Sequence, residues 1–149
     1  MRAVVQRVHR ARVIVGNEVA SQIGPGLLVF IGVAIDDGPP DVEYIAAKTC
    51  GLRIFPDGYG KMNRSIADAG GSILVVSQFT LQGDCRKGRR PSFDSAASGP
   101  LARALYEDVV RRLRESASEV FTGVFQADMD VELVNDGPVT LLLDSRRQF

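Results

Sequence analysis

The chain has no tryptophan, one histidine, two cysteines and no net charge, with 18 basic residues set against 18 acidic ones. Each shortage excludes something. His9 alone cannot build a multi-histidine metal site, and Cys50 and Cys85 do not have metal-ligand spacing. Two cysteines, one in a helical stretch and one in a polar loop, are no disulfide framework; they read as free thiols in a reducing compartment. No apolar run approaches the ~20 residues of a membrane span. The start of the chain alternates basic and apolar residues and lacks the apolar stretch of about 7–15 residues of a secretory signal, so the expected compartment is the cytoplasm. Glycine-rich phosphate loops are missing too: Gly24-Pro25-Gly26 is too short and begins a strand. Acidic residues are scattered over turns and helix faces, without an evident acid–base pair. Neither a metal nor a cofactor is expected.

Zero net charge argues against a long nucleic-acid footprint, but the charges are not evenly spread. Residues 1–17 carry Arg2, Arg7, Arg10 and Arg12 and no acid. Arg86, Lys87, Arg89 and Arg90 crowd five positions, and Asp36, Asp37, Asp41 and Glu43 form an acidic patch elsewhere. A small basic site that grips one end of an RNA fits this distribution; DNA and membrane partners are not expected.

What is present is an ordinary core: 45% hydrophobic and 24% charged residues over 149 positions, the length of a single domain spanning 1–149. Alternation predicts a strand over 2–8, and a hairpin over 12–23 turning at Gly16-Asn17. Residues 27–35 and 73–81 are long apolar runs that read as central strands. Prolines 39 and 40 open a helix whose face is Val42, Ile45, Ala46 and Thr49, with Gly51 as its stop. Short strands are expected over 52–55 and 61–63, a loop over 66–72, and a functional or mobile loop over 82–98. Residues 100–116 form the clearest helix, with Leu101, Ala104, Leu105, Val109 and Leu113 on one face. Strands over 121–126, 128–134 and 139–144 finish the chain. Seven to nine strands and two helices argue for an α+β domain with an antiparallel sheet.

The chain is organised around Asn135-Asp136-Gly137-Pro138-Val139-Thr140, between the last two apolar runs. Asp-Gly and Gly-Pro are turn dipeptides, so the plain reading is a structural turn. Proline gives more than a turn needs. It opens access to a cis peptide at ~0.5–1 kcal/mol, which would present two successive backbone carbonyls as rigid acceptors. Thr80 is the one hydroxyl suggestive of a nucleophile. No base adjoins it in sequence, and it reads better as a strand residue shaping a pocket.

Asn135 to Thr140 resembles a signature of the D-aminoacyl-tRNA deacylases, and Ser77-Gln78-Phe79-Thr80-Leu81 resembles that family's other signature. Met1 to Val8, Lys61 to Ser65 and Arg86 to Phe93 are similar to further family segments. The five lie in order and cover essentially the whole chain. The resemblance implies a barrel-like sheet with two helices, and hydrolysis of the ester of D-aminoacyl-tRNA by the protein backbone, a placed water and the substrate's own ribose hydroxyl. It implies a homodimer whose active sites lie at the interface. Gly137 and Pro138 would form the chiral filter, reaching into the partner's site and tolerating glycyl-tRNA. Ser77, Gln78 and the amides of Phe79 and Thr80 would hold the ester and ribose. Arg7 would clamp the Gly-Pro segment by donating to backbone carbonyls. Phe125 and Met129 would line the adenine pocket, core packing being the alternative. Gln126 departs from the pattern, which has a small residue there. His9 and Arg12 also differ and read as surface drift, while Arg86, Lys87, Arg89 and Arg90 are candidates for phosphate contacts. A non-catalytic RNA-binding module is the alternative function, and a hydrolase with Thr80 as nucleophile the third.

Overall fold

The structure is a computed structural model that describes residues 1–117 and 119–149. The elements run β1 (Arg2–Val15), β2 (Glu18–Ile23), β3 (Gly26–Gly32), α1 (Pro39–Gly51), β4 (Phe55–Pro56), β5 (Met62–Arg64), α2 (Ile66–Ala69), β6 (Ser72–Ser77), a single 3-10 turn (Phe79–Gln82), α3 (Gly99–Ser116), β7 (Val120–Thr122) and β8 (Asp130–Asp144). β1 is the spine. Along one edge it pairs first with β3 through Arg2–Val8 and then with β2 through Ala11–Val15. Its other edge carries β8 from Arg2 to Ile14. The order β2-β1-β3-β6-β7 curls nearly into a barrel, and the Ser21 hydroxyl donates to the Thr122 carbonyl at 2.7 Å where β2 approaches β7.

The sheet is mixed, not antiparallel as expected. β3 and β6 run parallel in register Leu27↔Ile73 to Ile31↔Ser77, and β6 runs parallel to β7. The reason lies in the connections. A helix intervenes between β3 and β6 (α1) and between β6 and β7 (α3), and a crossover through a helix delivers the next strand parallel. These central strands are buried on both faces, which is why their sequences are continuous apolar runs. Leu27, Val29, Ile31, Ile73 and Val75 enter the core beneath α1 and α3. Leu28, Leu74 and Val76 enter a second core with Val8, Ala11 and Val13 inside the curl of the sheet.

Several expected boundaries move. The first strand and the first arm of the hairpin are one strand, β1. Residues 66–69 form a short third helix, α2: the Ser65 hydroxyl accepts from the Asp68 N–H at 3.2 Å, and Asp68 accepts from the Ser65 N–H at 2.9 Å. β6 ends at Ser77 and not at Leu81. The Gln78 N–H donates to the Ile31 carbonyl at 2.7 Å, and the chain then winds into the 3-10 turn, so Phe79 and Thr80 are off the sheet. Gly32 makes this possible: a Cβ there would lie 2.7 Å from Leu81 Cβ and 2.8 Å from the Gln78 carbonyl oxygen. The buried face of α3 is Leu105, Tyr106, Val109, Val110 and Leu113, with Ala104 exposed. β7 stops at Thr122, short of the expected Gln126.

Candidate active site

Three stretches distant in sequence converge on a cavity of about 700 Å³. The end of β6 and the start of the 3-10 turn supply Val76, Ser77, Gln78 and Phe79. Ala97, Gly99 and Ala102 come from the approach to α3 and its first turn. The β7–β8 connection supplies Phe125 to Met129. Five of the nine residues singled out from the sequence therefore meet here: Ser77, Gln78, Phe79, Phe125 and Met129.

Phe79 is 56% exposed and rests edge-on against Phe93, with ring centroids 5.1 Å apart. A helical segment leaves its first N–H groups without partners inside it, and Phe79 and Thr80 are the first two residues of the 3-10 turn. The Thr80 hydroxyl accepts a 2.6 Å hydrogen bond from Gln78 Nε2. An amide N–H is a donor, not a base, so this contact orients Thr80 without activating it. Phe125 is less free than a bare stacking platform. The Arg103 guanidinium lies 4.5 Å from its ring centroid, and Tyr106 leans on it at 5.7 Å. Tyr106 is itself fixed by its hydroxyl, which donates to the Val75 carbonyl at 3.0 Å; burial pushes that phenol well above its ordinary range. The connection folds back on itself. The Ala127 N–H donates to the Val124 carbonyl at 3.2 Å, and the Val124 N–H points at Met129 Sδ at 3.3 Å. Gln126 occupies the third position of this turn with φ of 64°.

Gly137, Pro138 and Arg7 do not line that cavity. They form a second cluster, and here the expected turn between two strands is corrected. Asn135 to Thr140 lies inside the single strand β8. Its register against β1 jumps from Gln6↔Thr140 to Val8↔Asn135, so four residues, Asp136 to Val139, face Arg7 alone and bow out of the ladder. The Gly137–Pro138 peptide is cis, and both residues are exposed. Asn135 braces the base of the excursion, its side-chain amide donating to the carbonyls of Arg7 at 2.8 Å and Val139 at 3.0 Å. Arg7 is buried, at 8% exposure. The carbonyl it grips belongs to Ile54, not to the Gly-Pro pair. Its Nε lies 2.8 Å from Asp136 Oδ2, out of line with the N–H, so that contact is ionic and not a directional hydrogen bond. A Cβ on Gly137, where φ is +114°, would sit 2.9 Å from Arg7 Nη2. His9 is exposed, as expected, and its Nε2 stands 3.4 Å from the other Asp136 oxygen at the edge of this cluster.

Sequence reasoning missed Asp136 and Asn135 as the braces of the segment, and Arg103, Phe93 and Gly99 around the cavity. Asp136 had a signal: a carboxylate beside glycine, in a motif resembling one that needs a clamped loop. Arg103 and Gly99 had none, because only the fold brings α3 to the β7–β8 connection. Of the four basic candidates at 86–90, only Arg86 lines a larger cavity of about 820 Å³, together with Arg2, Asp84, Asp144 and Arg146 among others. There Arg86 is paired with Asp84 at 2.6 Å, which holds that carboxyl far below its usual range.

The chain is similar to known proteins over almost its whole length. A family model described as D-Tyr-tRNA(Tyr) deacylase matches residues 4–144. A D-aminoacyl-tRNA deacylase of Anaeromyxobacter dehalogenans is 61% identical over 149 residues, covering 100% of each chain. One of Thermotoga petrophila is 58% identical, again over 100% of each. A solved structure titled c-Myc DNA Unwinding Element Binding Protein superposes with a TM-score of 0.92 at 41% identity, covering 97% of this chain and 98% of that one. Another, of a probable eukaryotic D-amino acid tRNA deacylase, shares the fold with a TM-score of 0.81 at 18% identity, covering 95% of this chain and 97% of that one. With a family match over nearly the whole length and relatives of this identity, the chain belongs to the D-Tyr-tRNA(Tyr) deacylase family.

Proposed function

We propose that this protein hydrolyses the ester bond of D-aminoacyl-tRNA in the cytoplasm, releasing free D-amino acid and tRNA, with glycyl-tRNA as a second substrate. The observation that carries the reading is the meeting of Ser77-Gln78-Phe79 with Phe125 and Met129 around one cavity large enough for a nucleoside. The terminal adenosine enters that cavity. The amides of Phe79 and Thr80, at the open start of the 3-10 turn, donate to the ester carbonyl as charge develops on its oxygen. A water attacks, and the neighbouring ribose hydroxyl assists. An aminoacyl ester is already activated, so positioning and backbone donors suffice without a side-chain nucleophile.

The Gly137–Pro138 segment acts as the chiral filter of a partner's site within a homodimer. Two features support this. The segment is exposed and stands outside the cavity of its own chain. Beside it, cross-strand pairing lines up Leu142, Val4, Phe30 and Val76 in one apolar row over four strands. Leu142 at one end is 62% exposed, and Val76 at the other lines the cavity. A second copy covering that row would bring its own bowed segment towards the cavity. Arg7 serves as positioning residue, tying Asp136 to Ile54 so that the filter keeps its shape.

A mixing experiment tests the shared site. Gly137→Ala and Phe79→Ala are each expected to be poorly active. Co-refolded, they recover activity through heterodimers that hold one intact composite site. No recovery, with heterodimers demonstrated, would mean that each site is built within one chain.

A further inference from the structure

We propose that Gln126 is a specificity-determining residue, whose side-chain amide reads the edge of the purine held in the cavity. The inference rests on the assignment of that cavity to the terminal nucleoside.

Its starting point is a backbone position that glutamine seldom occupies. The turn from Val124 to Ala127 closes with a 3.2 Å hydrogen bond and puts its third residue at φ of 64°. Turns that need positive φ there take glycine or asparagine, because a Cβ is strained in that region. The conformation aims the side chain across the cavity mouth toward α3. A Cβ built on Gly99 would lie 2.6 Å from Gln126 Nε2, so the amide occupies room that only glycine at 99 leaves open. Gln126 thus lines the cavity between Phe125 and Met129, yet it is exposed and takes part in no hydrogen bond among the described residues. An amide at a cavity mouth with its donor and acceptor unspent is available to a ligand that enters the cavity. Side by side, that donor and acceptor match the N7 acceptor and N6 donor of adenine, and not the paired acceptors O6 and N7 of guanine.

The structural alternative is that Gln126 only tidies the start of α3, where Ser98 makes no side-chain cap hydrogen bond. The test is a double-mutant cycle between protein and RNA. D-tyrosyl minihelices ending in adenosine, or in purine riboside, which lacks the 6-amino group, are hydrolysed by the parent, Gln126→Gly and Phe125→Ala. Gln126→Gly suits the positive φ and is expected to fold with an unchanged or higher Tm. The parent should lose about three- to tenfold in kcat/KM on purine riboside, carried mainly by KM. Gln126→Gly should show that loss already on adenosine and lose nothing more on purine riboside. If Gln126→Gly keeps the parent's discrimination, or lowers Tm with kcat/KM unchanged, the amide does not read the base. If Phe125→Ala also equals the parent on both substrates, the nucleoside assignment of the cavity fails as well. An impaired Phe125→Ala with no coupling at Gln126 would overturn the Gln126 role alone.

Discussion

Arg7 shows how one buried guanidinium can shape a segment without lining the cavity. It donates to the Ile54 carbonyl and forms an ion pair with the Asp136 carboxylate, and so links the short β4 region to the bowed part of β8. Arg7→Ala leaves a buried carbonyl and a carboxylate without their partner, and should cost about 2–3 kcal/mol in urea unfolding. Gly137 has less tolerance still. Its φ of +114° and the 2.9 Å approach of Arg7 Nη2 leave no relaxed place for a methyl group. Gly137→Ala should lower stability by about 1–3 kcal/mol and kcat/KM by at least about tenfold. Thr80→Ala, by contrast, removes only an acceptor for the Gln78 amide and should keep kcat within about tenfold of the parent; near-complete loss would restore Thr80 as nucleophile. At this scale the sequence was legible wherever a residue lay in a motif. Ser77, Gln78 and Phe79 of one signature line the cavity, and Asn135 to Val139 of the other make up the bowed segment and its base, while Thr80 and Leu81 do not line the cavity; the pairing of Arg7 with Asp136 depends on a register jump that no local pattern announces.

Among elements, periodicity marked the two central strands and both long helices, because burial on one stripe or on both faces leaves a direct imprint on composition. It did not mark direction. The helices that make β3–β6 and β6–β7 parallel were visible as helices, and the direction of the strands follows from their crossovers and not from any local pattern. The 3-10 turn was invisible for another reason. Phe79 and Leu81 continue the apolar character of β6, and the close approach that Gly32 permits beneath the turn leaves no local mark. α2 is short enough that its cap decides it. Ser65→Ala should cost about 1 kcal/mol, read by thermal or urea unfolding.

For the whole molecule, an electrostatic seam joins the start of the chain, the approach to α1 and the C-terminal residues. Arg146 pairs with Asp36 and lies 3.1 Å from Asp37, while the Ser145 hydroxyl donates to Asp41 at 2.6 Å. The hydrogen bond from Arg146 holds the Asp36 carboxyl below its ordinary range. Burial pushes Asp41 upward, but hydrogen bonds from Ser145 and the Gly38 N–H outweigh it and the net shift is down. Groups with depressed folded-state pKa stabilise the fold above their unfolded value, near 4, and lose that contribution as pH falls through the folded value. Stability should therefore decline below about pH 4, and less steeply in Arg146→Met, as followed by urea unfolding against pH. The proposed backbone filter turns on handedness: D-amino acids should leave tRNA and L-amino acids should stay. The most direct measurement is the deacylation rate of matched D- and L-tyrosyl-tRNA by the purified protein, with and without EDTA. Such a filter, working without a metal, predicts rapid release from the D form, spontaneous-rate release from the L form and no effect of the chelator. Equal release from both forms, or from neither while the tRNA stays bound, would contradict it.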